Sequence, residues 1–499
     1  MKTPSLDLFN FIHAMSSAEK RYFKKDTRDS NTLDLFDIIN EMEAYDEELV
    51  KSRLKDSSFA GNLKVHKNRL QQILLKNLRS FHEEKTAQSR IRVLIDNAEI
   101  FQKKKMYEQA MSQLDKAIQY AEIYEEYELK LQALGIKSRL SSNLTDFEPF
   151  NVNVLTDMAD CVRQIQNFIH LAAVNEKILQ TVNLSTLSKT AQIEKIESIL
   201  NAEIHEKGAD PISSQAERLY LHTNAIISDL KGDLITACRL SKKIVDNLAS
   251  NAYLVEEKNE LFLNAIINYL DFCCRLPNSA KEFIIYVEKA ESHASIFDQL
   301  QPNLLNIYFS YLVLLRKEHQ FETMTALYEL KIKVLIEKYS LESSFLTAKA
   351  QLMILEANFA QQNYEAVVEL LHKLLNSKKA VPKEFLIAVQ IVELLHNYEM
   401  YHLDFLENII LNIQKKIRKM NIESRFIENL LNLFLKVAKS NISEHKNLFQ
   451  LYRTSIPSFE NDPYFRQLNS YLDLGLWFDA HIRKQPYSLI IKENKRTNY

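Results

Sequence analysis

Glycine and proline are what this 499-residue chain has least of: five glycines and nine prolines, against average usage of roughly 7% and 5%. Those residues supply the left-handed and pre-bent backbone of tight hairpins, so their scarcity argues against a sheet protein. Leu, Ala, Glu, Lys, Ile and Asn abound instead. The composition predicts a chain that is almost wholly α-helical. Cysteine is also rare, and Cys161, Cys238, Cys273 and Cys274 have no metal-ligand spacing and fall within helical apolar patterns. They read as buried free thiols in a reducing compartment. No run of roughly 18 uncharged apolar residues is present, and the opening MKTPSLDLFNFIHAMSSAEKRYF lacks the apolar core of a secretory signal. A cytoplasmic protein without membrane contact is the expectation. An excess of one charge is missing too, since 63 basic and 65 acidic side chains leave a formal charge of -2. That excludes a chain built throughout to neutralise phosphates and leaves only local patches.

What the sequence does have is a repeated helical pattern. In Arg90 to Ala121, Leu94, Ala98 and Phe101 recur at helical spacing, Lys103 to Lys105 interrupt it, and Tyr107, Ala110, Leu114, Ala117 and Ile118 resume it. This reads as two amphipathic helices folded back to back, approaching closely at Ala98 and Ala110. The pattern returns at Ser214, where Ser214 and Glu217 have capping-box spacing. Leu221, Ala225 and Ser228 form a first-helix face, Gly232 a left-handed stop and Asp233 a cap, followed by Leu234, Ala237, Ser241 and Ile244. Leu261, Ala265 and Asn268 open a third unit, broken by Pro277, with Ser279 and Glu282 spaced to cap a helix bearing Phe283, Val287 and Ala290. Tyr308, Leu312 and Leu315 pair with Phe321, Met324 and Tyr328 in a fourth, and Leu355 with Tyr364, Val367, Leu371 and Leu374 in a fifth.

These helix pairs resemble the tetratricopeptide-type repeats, with Tyr107, Ala110, Leu114 and Ala117 at that family's second-helix spacing and Ala98 at its small first-helix position. The resemblance implies an all-α, right-handed α-α superhelix, a solenoid of tetratricopeptide-like type. The anchors Ala225, Ala265, Leu312 and Leu355 lie 40, 47 and 43 residues apart, longer than that family's repeat of about 34. Longer helices, or another helical repeat, would explain the difference. In either case consecutive hairpins bury one another's apolar faces serially. We divide the chain into a helical bundle (1–89), the repeat array (90–440), and capping helices with a tail (441–499). SSAEKRYFKK and HKNRLQQILLKNLRSFH also resemble the openings of uncharacterised bacterial helical-repeat proteins, a likeness that brings no activity with it.

In the bundle, a Ser16–Glu19 capping box should start a helix carrying Tyr22 and Phe23. Leu33, Phe36, Ile39 and Met42 mark another, Leu49 and Leu54 a short one, and Leu63, Leu70, Leu74, Leu78 and Phe81 a long one. Val154 to Val182 reads as one long helix or two. Tyr464 to Ile482, with the single tryptophan Trp477, reads as one capping helix, and Lys492 to Tyr499 as a frayed tail.

No catalytic signature appears: no glycine-rich phosphate loop, His-Glu-x-x-His pair, Cys-x-x-Cys or Gly-x-Ser-x-Gly elbow. His82-Glu83-Glu84, His205-Glu206, His396 with His402, and Glu125-Glu126 read as solvated helix surface. We expect no enzyme, catalytic residue, cofactor or metal ligand. Two features carry binding expectations. The helix Leu304 to Leu315 is apolar all round, so it is either a buried array helix or one wall of a concave groove for a protein helix or peptide. The positions on that groove are His222, Asp229, Asn259, Phe262, Tyr269, Asn306, Tyr308, Phe309 and Arg316. The second feature is a basic patch of Lys51, Arg53, Lys55, Lys64, Lys67, Arg69, Lys76 and Arg79, facing only Asp56 between its ends. Lys64, Lys67, Arg69 and Lys76 fan around the polar side, so a solvated surface is expected before a nucleic-acid site. The sequence thus favours a bacterial, cytoplasmic protein- or peptide-binding scaffold. The alternative is a peptide-responsive regulator, because a helical bundle followed by a repeat array resembles bacterial peptide-sensing regulators, in which the bundle contacts protein or nucleic acid.

Overall fold

The computed structural model describes residues 6–54, 61–83, 85–141, 148–183, 189–202, 210–376 and 382–497. Every regular element among them is helical, and none of their helices is long and apolar enough to cross a membrane. They form two compact units, one made of Met1–Thr223 with Asn247–Lys258 and the other of Asn224–Asp246 with Asn259–Tyr499.

The first unit opens with α1 (Asp7–Ala14), α2 (Ser17–Asp26), α3 (Ser30–Asn40), α4 (Glu47–Arg53) and α5 (Leu63–His82). Ile12, Phe23, Leu35, Phe36, Ile39, Leu70 and Leu74 share one buried core, with the Phe23 and Phe36 rings 4.7 Å apart. The Ser16–Glu19 capping box starts α2. In α4, Val50 is the buried residue and Leu49 is 38% exposed, a one-residue rotation from the expected face. Next come α6 (Ala87–Lys103), α7 (Tyr107–Ile123), α8 (Tyr127–Ser141), α9 (Glu148–Asn183) and α10 (Lys189–Leu200). Each packs on the next, and α6 also touches α8. Ala98, Ala110 and Ala117 lie in the core of this stack, where a bare methyl lets the two backbones approach. The segment from Val154 to Val182 lies in one continuous helix, α9.

The start of α11 (Ser214–Lys231), the end of α12 (Leu234–Ala249) and the short α13 (Ala252–Glu257) also belong to the first unit. Ser213, not Ser214, caps α11, its hydroxyl accepting from Ala216 N at 3.2 Å. The remainder of α11 and α12 belongs to the second unit, followed by α14 (Asn259–Cys273), α15 (Ala280–Ile296) and α16 (Leu304–Lys317). Then α17 (Phe321–Leu327), a π-helical turn (Tyr328–Ile332) and α18 (Lys333–Tyr339) run end to end. Two pairs follow, α19 (Phe345–Ala360) with α20 (Tyr364–Asn376) and α21 (Lys383–Glu399) with α22 (Leu403–Met420). The chain closes with α23 (Arg425–Lys439), α24 (Ile442–Ser455), α25 (Pro463–Asn469), α26 (Leu474–Arg483) and α27 (Tyr487–Thr497).

Three details of this unit depart from the sequence reading. Ser279 makes no side-chain cap; its hydroxyl donates to Leu276 O instead. The expected single helix over 464–482 is two, α25 and α26, because Asp473 starts a fresh helix by accepting from Leu476 N. Where a frayed tail was expected, α27 continues to Thr497.

The hairpin turns share one geometry. A single residue sits in the left-handed region at Lys105, Gly232, His319, Gln362 and Tyr401. The next residue then donates its N–H back into the first helix: Met106 to Phe101 O, Asp233 to Ser228 O, Gln320 to Leu315 O, Asn363 to Asn358 O and His402 to Asn397 O, all at 2.8–2.9 Å. This satisfies a carbonyl that the helix end would otherwise leave unpaired. Asn278 is also left-handed, between α14 and α15, so these turn residues of the second unit stand at 232, 278, 319, 362 and 401, spaced by 46, 41, 43 and 39, while Ser340, Asn421 and Lys484 hold the same region at other helix ends. Only one of them is glycine. The left-handed region costs an L-residue roughly 1–2 kcal/mol, whereas glycine in a fixed backbone costs about 0.5–1 kcal/mol. Gln362→Gly, at an exposed site, should therefore stabilise the chain by about 0.5–1 kcal/mol. Urea denaturation would show this, and an unchanged or lowered midpoint would contradict it.

Candidate functional site

The groove positions named from sequence separate into buried and open ones. His222 belongs to the first unit, with Nδ1 3.2 Å from Asn175 Oδ1 and an imidazole pushed below its usual range by burial. In the second unit, Phe262, Tyr269 and Tyr308 are 3%, 1% and 5% exposed. The α14 core face therefore runs through Phe262, Ala265, Ile266 and Tyr269, and the expected Leu261 and Asn268 lie at the surface. Phe262 packs edge-on against His293, whose ring nitrogen lies 2.9 Å from Asn259 O. Tyr269 lies 4.7 Å from the Tyr286 ring, its phenol pushed up first by burial and then by Cys273. Cys238 and Tyr269 contact the Cys273 thiol, and the hydrogen bond from Cys238, chief among these, lowers it. All four cysteines are buried and free.

Of the open positions, Asp229 lies near the C-terminal end of α11, Phe309 midway along α16 and Asn306 in the first turn of α16. Asp229 accepts two bonds from Arg275, at 2.8 and 3.1 Å, and Lys317 Nζ donates to Arg275 O at 2.7 Å. Lys349 Nζ stands 6.0 Å from the Phe309 ring. Asp271 retains 63% of its side-chain surface, yet the surrounding protein raises its carboxyl above the usual range even with Arg275 and Lys349 nearby. Asn306 is exposed, with Nδ2 3.4 Å from Asn303 O.

Arg316 has a different place. Its guanidinium pairs with Glu356, which is 2% exposed on α19, and donates to Asn469 O at 3.0 Å. Glu356 Oε1 also accepts from Tyr487 OH at 2.8 Å and Asp473 N at 3.0 Å. One carboxylate thus binds α16, the α25–α26 connection and α27. Glu399 does the same for α21, accepting from Trp477 Nε1 at 2.9 Å and Tyr364 OH at 3.3 Å, with His481 Nε2 at 3.0 Å. Beside this junction lies a cleft of about 540 Å³ lined by Arg453, Phe465, Arg466, Asn469, Asp473 and Gly475, among others. Removing one partner of a desolvated ion pair strands the other, at about 3–5 kcal/mol. Glu356→Ala should cost that much in urea denaturation; a loss below about 1 kcal/mol would show that the junction is not desolvated.

Two acids and one histidine expected in solvent, Glu125, Glu126 and His396, are interior. Glu125 and Glu126 are 7% and 8% exposed. Glu125 pairs with Arg218, which also donates to Asn247 Oδ1 at 3.0 Å, and Glu126 pairs with Lys258 at 3.3 Å. His82 and His402 are exposed as expected, His82 contacting Glu19 at 2.7 Å, and His205 lies outside the described residues. His396 is 6% exposed with Nδ1 unpartnered, between the Phe359 and Tyr364 rings. Burial lowers its affinity for a proton, against a smaller opposing effect of Glu399. Below the unfolded histidine value of about 6.5 the unfolded chain then takes up a proton that the native chain resists, and stability falls with pH. His396→Phe should reduce the loss of thermal midpoint between about pH 7 and pH 5; an unaltered loss would exclude His396 as its source. Among the described residues, no group of His, Cys, Asp and Glu is placed to hold a metal ion.

The basic patch is sorted by its partners. Lys51 pairs with Glu48 and Glu47, Arg53 with Glu41 at 3.7 Å, and Lys67 with Glu47 at 2.8 Å. Lys55 lies outside the described residues. Lys64, Arg69, Lys76 and Arg79 are exposed on α5.

Among the described residues the geometry defines an all-helical protein in two compact units. No protein-family model matches the chain, and neither a curated protein nor a solved structure shows significant similarity to it.

Proposed function

We propose that the chain is a non-enzymatic binding scaffold, a cytoplasmic solenoid of tetratricopeptide-like type. In this reading it holds a protein or peptide against the surface of its first helices in the second unit. The observation carrying it is an open polar face on α14, where Asp271 keeps 63% of its side-chain surface. Asn264 and Asn268 share its face of α14 and are exposed. Their amides both donate and accept, which suits the backbone of an extended peptide. Phe309 of α16, half-buried beside Lys349, offers an apolar anchor next to them. Tyr308 belongs to the core and lies outside this surface. A second reading, the regulator whose bundle contacts protein or nucleic acid, draws support from the cations of α5.

The test is purification of the full chain from its cells of origin, comparing the natural sequence with Asp271→Arg/Phe309→Glu. A partner held at fixed stoichiometry should be lost from the variant while helix content by circular dichroism is unchanged. Equal recovery from both would overturn this surface.

A further inference from the structure

From Gly61 to His82 the sequence contains no acidic residue, and α5 occupies nearly all of that stretch. At 1.5 Å per residue its 20 residues span about 30 Å. Leu63, Leu70 and Leu74 face the bundle core, and Tyr22 covers Phe81 at 5.1 Å. Opposite lie Lys64, Asn68, Arg69, Gln72, Lys76 and Arg79, all exposed, with the exposed apolar Val65 and Leu75 among them. At 100° per residue these six fall within an arc of about 140°. Lys67 points away from that arc, and its charge is already matched by Glu47. With Lys67 removed, the apparent fan of charges around the helix becomes one cationic face. Lys64, Arg69, Lys76 and Arg79 make no ion pair or hydrogen bond with a described residue, in contrast to Lys51, Arg53 and Lys67 on the same bundle.

We propose that this face of α5 binds double-stranded DNA, with the four cations on backbone phosphates and Asn68 and Gln72 turned to the base edges. The reasons are charge, shape and side-chain type. An acid-free cationic helix face complements a polyanion. A helix fits the major groove of B-form DNA, whereas the deep, narrow major groove of an RNA duplex excludes it. Asn and Gln amides match the paired donor and acceptor of adenine. Single-strand binding relies on aromatic platforms, and this arc carries no aromatic residue. The proposal rests on the first unit alone and is independent of the first-helix surface proposed above.

The experiment is fluorescence anisotropy of the full chain with a mixed-sequence duplex of about 30 base pairs across a salt series. Four phosphate contacts give a slope of log affinity against log salt of roughly −3.6, or about a 150-fold loss between roughly 50 and 200 mM. Arg69→Ala/Arg79→Ala, which keeps helix-forming residues, should halve the slope to about −1.8. Lys51→Gln/Arg53→Gln, on cations already paired, should leave it unchanged. No binding at roughly 50 mM salt would overturn the proposal. So would an equal effect of the two double variants, tighter binding of single strands or RNA duplex, or displacement by poly-glutamate at equal charge concentration, which would mark an acidic protein as the partner.

Discussion

The left-handed residue that ends the first helix of a pair is the constraint on which the rest of this structure depends. With one such residue and one N–H returned to the preceding turn, the chain reverses within two or three residues, and the two helices must lie side by side and antiparallel. Because the reversal is this short, their apolar faces meet at once, at Ala98 and Ala110 in the first unit. Each pair still exposes an apolar flank that only the next helix covers, which is why α7 packs on α8 and α20 on α21. The chain accomplishes this almost without glycine. Lys105, His319, Gln362 and Tyr401 accept an unfavourable backbone, at a cost that the packing of two long helices outweighs.

Buried carboxylates form the second layer of organisation. Neighbouring pairs are joined by apolar contact, but segments distant in sequence are joined by Glu125, which pairs with Arg218, and by Glu356 and Glu399, each gathering donors from several segments. A buried charge is tolerable only when its partners are present with good geometry. Such groups therefore contribute little to net stability and much to position. Glu356 and Glu399 hold the α25–α27 segment against α19 and α21, so the first-helix surface at that end of the second unit is covered by the chain itself. The same kind of surface on α14 and α16 keeps Asn264, Asn268 and Asp271 open.

Charge follows a similar logic on the bundle. Near-neutrality of the whole chain conceals a local separation, in which acids of α4 and the segment before it neutralise Lys51, Arg53 and Lys67 while α5 keeps its remaining cations. Pairing, rather than the count of basic residues, decides where a net field survives.

Periodicity and composition by themselves determined that the chain is helical, where most helices run, and that Ala98, Ala110 and Ala225 are core. These follow from local spacing, because 3.6 residues per turn fixes which side chains share a face. The Ser16 box and the stop at Gly232 were legible for the same reason: their partners lie within a few residues. Whether Leu49 or Val50 faces inward, and whether Glu125, Glu126 and His396 meet solvent, was decided by tertiary structure. Neighbours tens to more than a hundred residues away set those outcomes, and no local pattern encodes them. Of the positions named for a groove, the sequence located Asp229 and Phe309 at the surface of the first helices but could not separate them from the buried Phe262, Tyr269 and Tyr308. Both groups are aromatic or polar residues on amphipathic helices, and only packing distinguishes them.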